Sequence, residues 1–276
     1  MYPFWIHISN TLAPCPYHGR MFKASTFEYR FRFAVHCVIF VLGFTAPWNY
    51  ALHLAPTGPN AHLWGVLAAQ LSRLGVGNIA TAFHLLLALG IAVAFAGAFL
   101  RTWGAAYLGA NIVQSSSMHT SEAEPTTGML QDGPFRHTRN PLYLGTFLHT
   151  LALALLMPVS GAAFAIVAVA IVQIRLILAE ESFLTAKLGQ PYAAYCRQVP
   201  QILPSIKAKI AGTGLRPRWP QAFRGEIYMW GVALSFAAAG WRYDAVLLIK
   251  CVIVSFGVSL IARAFAPQPA TAQTVQ

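Results

Sequence analysis

Acid is what this chain has least of. Eight Asp and Glu stand against 19 Lys and Arg, and the four charged types together make up only 10% of the 276 residues. A soluble domain carries roughly 25% charged residues. With 57% apolar residues and a mean hydropathy of +0.54, there is too little polar surface to wrap so large an apolar core, which excludes a water-soluble globule. Cysteine is thin as well. Cys15, Cys37, Cys196 and Cys251 are scattered with no CxxC pair, and the nine histidines show no HxxxH or HExxH spacing. A disulfide framework and a metal centre are therefore not expected. No aromatic-basic RNA motif, zinc-finger spacing or long internal repeat occurs. Nucleic acid is not expected as a partner, and the net charge of +11 needs another explanation.

What the chain does have is long apolar runs, at about 34–54, 79–100, 142–158, 160–179, 225–241 and 245–263. A spanning helix needs about 20 apolar residues. The pattern predicts an all-α, polytopic membrane helical bundle of about six transmembrane helices. The third and fourth runs, parted only by the turn Met157 to Gly161, read as a helical hairpin. The fifth is short, and the sixth holds Lys250. His62 to Leu74 reads as a surface helix. Basic residues cluster before the first run, between the second and third (Arg101, Arg136, Arg139), and after the fourth (Lys187 to Arg224). The opposite loops hold only Arg73 and Arg242. Loop charge of this kind sets orientation, and it predicts both termini on the cytoplasmic side of the membrane. Residues 1–32 form a basic N-terminal segment without the order of a cleavable signal. Met21 opens a conventional basic start, so residues 1–20 are expected to be a surplus extension. Residues 33–265 are the membrane domain, and the polar tail 266–276 is expected to be disordered.

The polar residues concentrate in two places. The first is Gly133-Pro134-Phe135-Arg136-His137-Thr138-Arg139-Asn140-Pro141-Leu142-Tyr143-Leu144-Gly145, at the mouth of the third run. Asn140 and Pro141 suit the N-cap and first position of a helix, whose free N–H groups hold carboxylate or phosphate. Arg139 adds a bidentate donor, while Arg136 reads as a surface anchor. The second place is Glu180-Glu181, placed at a helix end where acid opposes the dipole. It reads either as a ligand site or as the partner of Arg136 or Arg139. Gln173 shares the Glu180 face, and Arg175 reads as a pairing residue or one facing the neighbouring helix. Tyr192 and Tyr195, three apart, fit either interfacial packing or closure over a flat or cationic ligand. His119 and His137 are candidate acid–base groups, and Lys187, Lys207 and Lys209 read as solvated or lipid-facing charges.

In this order, GPFRHTRNPLYLG followed by EESFLTAKLGQPYAAYCRQVPQILP resembles the isoprenylcysteine carboxyl methyltransferase and phospholipid methyltransferase family of membrane enzymes. The likeness covers about residues 95–205, including Leu100-Arg101-Thr102-Trp103-Gly104. It implies S-adenosylmethionine as cofactor, bound in a pocket on the cytoplasmic face, and a lipophilic or lipidated acceptor. The family's Arg-His-Pro-x-Tyr motif reads Arg139-Asn140-Pro141-Leu142-Tyr143 here. Asn140 in place of histidine removes a titrating group. The resemblance makes Arg139, Asn140, Tyr143, Glu180 and Glu181 the best cofactor-pocket candidates and, through its bacterial-type members, implies a bacterial inner membrane. His137, Pro141 and Tyr192 are added to the pocket from the reading of the residues. Arg139 and Glu181 are expected to be catalytic. Methyl transfer needs placement above all. A carboxylate acceptor needs no base, whereas an amine must first lose a proton, and the motif itself offers no obvious base. Two other readings compete: a membrane NADPH-dependent sterol-type reductase, for which no GxGxxG fingerprint is present, and a non-enzymatic transporter or lipid-binding scaffold.

Overall fold

The computed structural model describes residues 23–46, 61–108 and 131–265. The expected extension up to residue 20, the later part of the first run, His119 and the tail lie outside these described residues. Ten α-helices occur within them. In chain order they are α1 Thr26–Arg30, α2 Arg32–Thr45, α3 Leu63–Arg73, α4 Ile79–Leu108, α5 Pro141–Ala154, α6 Val159–Leu188, α7 Gln190–Gln198, α8 Trp219–Gly225, α9 Ile227–Ala239 and α10 Ala245–Ala264. A lone bridge joins His62 to Pro158. The chain is an all-helical integral membrane bundle, as its hydropathy predicts.

Among the described residues, three helices are long and apolar enough to cross a membrane: α4, α6 and the Ala245–Ala262 part of α10. The helices at the first, third and fifth runs have 14, 14 and 13 residues. At 1.5 Å per residue they reach about 20 Å, short of a hydrocarbon core of about 30 Å. The two 30-residue helices run past their apolar stretches. Helix α6 continues through Ala179-Glu180-Glu181 because no glycine or proline interrupts it there, and Gly189 at φ 61° ends it. Glu180 and Glu181 thus lie two turns inside a continuous helix, not at a helix end. Arg101 likewise sits within α4 and not in the following loop.

The third run stops being helical at Ala154 for a local reason. Leu155, Leu156 and Met157 turn tightly, their amides bonding back to Ala152, Leu153 and Ala154, and the last two are wholly buried. A buried turn strands its carbonyls. Here three consecutive carbonyls are met by the start of α3: Trp64 N–H donates to Leu155 (3.0 Å), Leu63 N–H to Met157 (2.8 Å), and His62 Nδ1 to Leu156 (2.6 Å). The predicted surface helix is therefore also the cap of the α5–α6 hairpin.

Helices α4 and α5 approach most closely at two facing glycines. A Cβ on Gly97 would lie 2.7 Å from the Gly145 carbonyl oxygen, and one on Gly145 would lie 2.8 Å from the Gly97 oxygen. Small residues at such crossings let backbones touch. Val167 and Ile171 on α6 and Ile253 and Val254 on α10 stay exposed, forming apolar faces suited to lipid.

A helix-free strap completes the basic end. Residues 199–218 run back along 132–139. Arg139 N–H donates to Pro200 (2.9 Å), Ser205 N–H to His137 (3.0 Å), Lys209 N–H to Arg136 (2.9 Å) and Thr213 N–H to Asp132 Oδ1 (2.8 Å). Arg218 N–H then reaches Ala106 at the end of α4 (2.7 Å). Substituting Gly97→Leu is expected to force α5 from α4 at a cost of about 1–3 kcal/mol. Thermal unfolding in detergent should show this as a fall in Tm of roughly 2–4 °C per kcal/mol; an unchanged Tm contradicts the close crossing.

Candidate cofactor and catalytic site

Arg139 and Glu181 meet in a buried ion pair. Arg139 Nε donates to Glu181 Oε1 (2.9 Å) and its second fork nitrogen to Oε2 (3.1 Å). The remaining guanidinium nitrogen donates to the Cys196 and Val199 carbonyls at 2.7 and 3.0 Å. Glu181 also accepts from Asn140 Nδ2 and Gln201 Nε2, each at 3.0 Å. The pair is 7% and 8% exposed at its side chains, so desolvation is severe and each charge depends on the other. Burial alone would lower the Arg139 pKa, but the hydrogen bonds and charge of Glu181 outweigh it and hold the group more basic than usual. Of the two readings left open for the glutamate pair, ligand site or partner of an arginine, Glu181 takes the second. The hydrogen bonds of Arg139 and Glu181 go to protein, and they knot α5, α6, α7 and the strap together.

Asn140 and Pro141 do start α5, but the Asn140 side chain makes no cap. Its amide is drawn instead to Glu181 and to the Gln201 carbonyl. That leaves the first-turn N–H groups of α5 without a side-chain cap.

Glu180 faces a different neighbourhood. Tyr143 donates its hydroxyl to Glu180 Oε2 at 3.1 Å. Arg32 lies within electrostatic reach of Glu180, and Tyr143 is within reach of Tyr29 and Arg32. The segment before α2 closes this side. Lys23 Nζ donates to Ser182 (2.7 Å), Ala24 N–H to the Arg175 carbonyl (3.0 Å), and Arg175 pairs with Glu28 (2.8 Å). Burial, with the nearby Glu180 charge, pushes the Tyr29 hydroxyl up to about 12. The basic N-terminal segment is thus part of the site as well as a topology signal. Its capping box, Ser25 with Glu28, is the sequence signal that could have located it.

The other expected residues fall into supporting positions. His137 bonds through Nδ1 to the Ser205 carbonyl (2.8 Å) and lies 6.0 Å from the Trp103 ring. Arg136, read as a surface anchor, donates to the Ile210 carbonyl (2.9 Å). Tyr192 and Tyr195 pack in a small apolar cluster with Cys196 and Val199, and the Tyr195 hydroxyl reaches the Phe135 carbonyl (2.8 Å). Burial raises both phenols well above the usual value. Gln173 is buried with Nε2 unpaired, as a polar stripe on α6 predicts. Two features were missed. Arg101 forms a bidentate pair with Glu226 at 2.7 and 2.9 Å and donates to Thr146 at 2.6 Å. Asp132 anchors the strap through Thr213 and Gly214. The scarcity of acids was the available signal, since a lone Glu226 ahead of an apolar run demands a partner.

The fold is that of a membrane-embedded helical bundle with one polar, strapped end. Residues 85–191 match the phospholipid methyltransferase family model, so this segment is similar to the membrane methyltransferases of that family. The matched stretch runs from α4 into the start of α7 and contains Arg139, Tyr143, Glu180 and Glu181. No curated protein and no solved structure matches the chain.

Removing one partner of a buried pair strands the other. Arg139→Ala is expected to cost about 3–5 kcal/mol, seen as a large loss of Tm, and a mild effect would mean that Glu181 has other company. For Asp132, burial raises the pKa, but hydrogen bonds from Thr213, Gly214 and Leu215 hold it below the ordinary carboxylate value. A depressed folded-state pKa stabilises above the unfolded value of about 3.9 and is lost as pH falls through the folded one. Amide exchange at Thr213 and Gly214, corrected for intrinsic rate, should therefore be level from about pH 8 to pH 5. Asp132→Asn should weaken that protection at every pH in this range. Equal protection in the variant would rule out Asp132 as the anchor.

Proposed function

We propose that this protein is an S-adenosylmethionine-dependent methyltransferase acting within the membrane on a lipophilic acceptor, either an isoprenylcysteine-type carboxylate or a phospholipid-type amine. One observation carries the reading. The two motif segments, 37 to 42 residues apart in sequence, come together so that Glu181 is saturated by protein donors while Glu180 is held by a tyrosine hydroxyl beside the uncapped start of α5. This donor set fits the cofactor. Glu180 suits an ammonium, and the first-turn N–H groups of α5 suit a carboxylate. When bound, S-adenosylmethionine supplies an electrophilic methyl group.

The residues of the chain do the rest by placement. Arg139, Asn140 and Glu181 fix the start of α5 against α6, and Tyr143 orients the Glu180 carboxylate. The strap shields one side of the site and α1 the other. Basic residues at 23–32, 136–139 and 187–224 gather at this end, which we assign to the cytoplasmic side by loop charge, the bacterial inner membrane resting on the family likeness alone. The acceptor then enters from the bilayer between apolar helix faces, and the cofactor from the aqueous side.

Isothermal titration of the purified protein with S-adenosylmethionine is expected to show binding, weakened at least about tenfold by Glu180→Gln, a loss of about 1.4 kcal/mol. The Tm of the ligand-free variant should stay near that of the parent. NADPH should give no thermal shift. Parent-like affinity in Glu180→Gln would remove the pocket assignment, and a shift with NADPH alone would replace the methyltransferase reading with the reductase one.

A further inference from the structure

One turn deeper than Arg101 the bundle contains a second polar group of residues. His149 on α5 is 1% exposed, and neither ring nitrogen has a hydrogen-bond partner. Buried polar groups are nearly always paired, so a histidine with two idle nitrogens in an apolar interior requires explanation. Its ring packs edge-on against Tyr228 of α9, with centroids 5.2 Å apart. His36 on α2 is the companion. Its Nδ1 lies 2.6 Å from the Arg32 carbonyl oxygen, and its Nε2 is buried and unpartnered. Arg101 is within electrostatic reach of both imidazoles and of Tyr143. Tyr228, against His149, is within reach of Cys37, the neighbour of His36. The two imidazoles thus share Arg101 as an electrostatic neighbour, and so does Tyr143, whose hydroxyl holds Glu180.

The chemistry of this region follows from its tautomers. A carbonyl oxygen can only accept, so the neutral His36 ring carries its proton on Nδ1 and turns a bare lone pair inward at Nε2. His149 adds one donor and one acceptor. The Arg101 cation is neutralised by its bidentate bond to Glu226, so it does not call for an anion. Lone pairs call for a ligand that brings its own hydrogen.

We infer that His36 and His149 form the head-group site of the methyl acceptor, that the acceptor is a protic N–H or O–H group on a lipophilic body, and that His36 Nε2 is its general base. This rests on the methyltransferase reading. The acceptor nitrogen or oxygen gives its proton to His36 Nε2 as its electron pair bonds to the methyl carbon. The carbon–sulfur bond breaks with its pair remaining on sulfur, and the imidazolium later releases the proton to solvent. His149 holds the head group through its remaining donor and acceptor. A carboxylate, already ionised, would leave the Nε2 lone pair of His36 unused.

The test uses the full-length protein in lipid nanodiscs with methyl-labelled S-adenosylmethionine and three acceptors: phosphatidylethanolamine, a long-chain alcohol and N-acetyl-farnesylcysteine. Label is expected in one of the first two and not in the third. His36→Gln and His149→Leu should each lower turnover about 100-fold while S-adenosylmethionine affinity stays within about twofold. Without any ligand, His149→Leu should raise Tm by about 2–4 °C, since it removes an unpaired buried group. A purely structural histidine would lower it. Parent-like turnover in both variants, label confined to the farnesylcysteine carboxylate, or a fall in the ligand-free Tm of His149→Leu would each overturn the assignment. If the parent binds no S-adenosylmethionine, the methyltransferase reading falls and the proton step with it, whereas the Tm readout reports on the histidine alone.

Discussion

The Arg139–Glu181 pair is the constraint on which the basic end of this protein depends. Four protein donor contacts converge on one buried carboxylate, and they come from Arg139, the adjoining N-cap residue of α5 and the strap. Two charges removed from water attract strongly, but their desolvation cost is of similar size. The pair is therefore better read as a device for specificity than as a source of stability. Only one register of α5 against α6 satisfies both partners and the Cys196 and Val199 carbonyls together. Once that register is set, Tyr143 is delivered to Glu180, and the strap is drawn along 132–139. The glycine crossing of α4 and α5 then fixes the depth at which Arg101 meets Glu226 and Thr146.

This explains a division between adjacent residues. Glu180 and Glu181 are chemically identical and share one turn of α6, yet Glu181 is saturated by protein while Glu180 has a tyrosine hydroxyl and a neighbouring cation. A helix rotates 100° per residue, so consecutive acids must face different surroundings. One can therefore be held wholly by protein donors while the other is not.

Much of the architecture was legible in the sequence, because the bilayer restricts the options to helices whose apolar length can be counted. The α5–α6 hairpin, the helix at 63–73 and the starting point at Asn140-Pro141 all follow from that reasoning. Helix ends were less legible. Apolarity stops at Ala179, but hydrogen bonding runs on to Leu188, since hydropathy reports the solvent around a helix and not the helix itself. The shortened α5 was hidden for the opposite reason: Leu155 to Met157 are as apolar as a span, and only the amides of α3 make their non-helical turn tolerable. In the site, the two motif segments were recognisable and their meeting was expected. The Arg139–Glu181 pair was one of two readings left open, because a charged residue reads the same whether its partner is a cofactor or another side chain. The Arg101–Glu226 and Glu28–Arg175 pairs join residues 125 and 147 apart, which no local pattern reveals.

The contrast between saturated and unsaturated polar groups is the more general lesson of this fold. Leaving a buried polar group unpaired costs about 1–3 kcal/mol, and a bundle short of charge has little reason to accept that cost at random. At the strapped end nearly every polar atom is paired, consistent with a scaffold that must hold its shape. Deeper in, His149 and His36 are not, although His149 lies only ten residues beyond Arg139 on the chain and its neighbours Thr146 and Thr150 are both bonded. A histidine on α5 could have been any apolar residue of similar size without loss to packing. An unpaired imidazole there, with a second one on α2 whose tautomer is fixed by its own helix, is hydrogen-bonding capacity held in reserve, which the proposed acceptor arriving from the membrane would use.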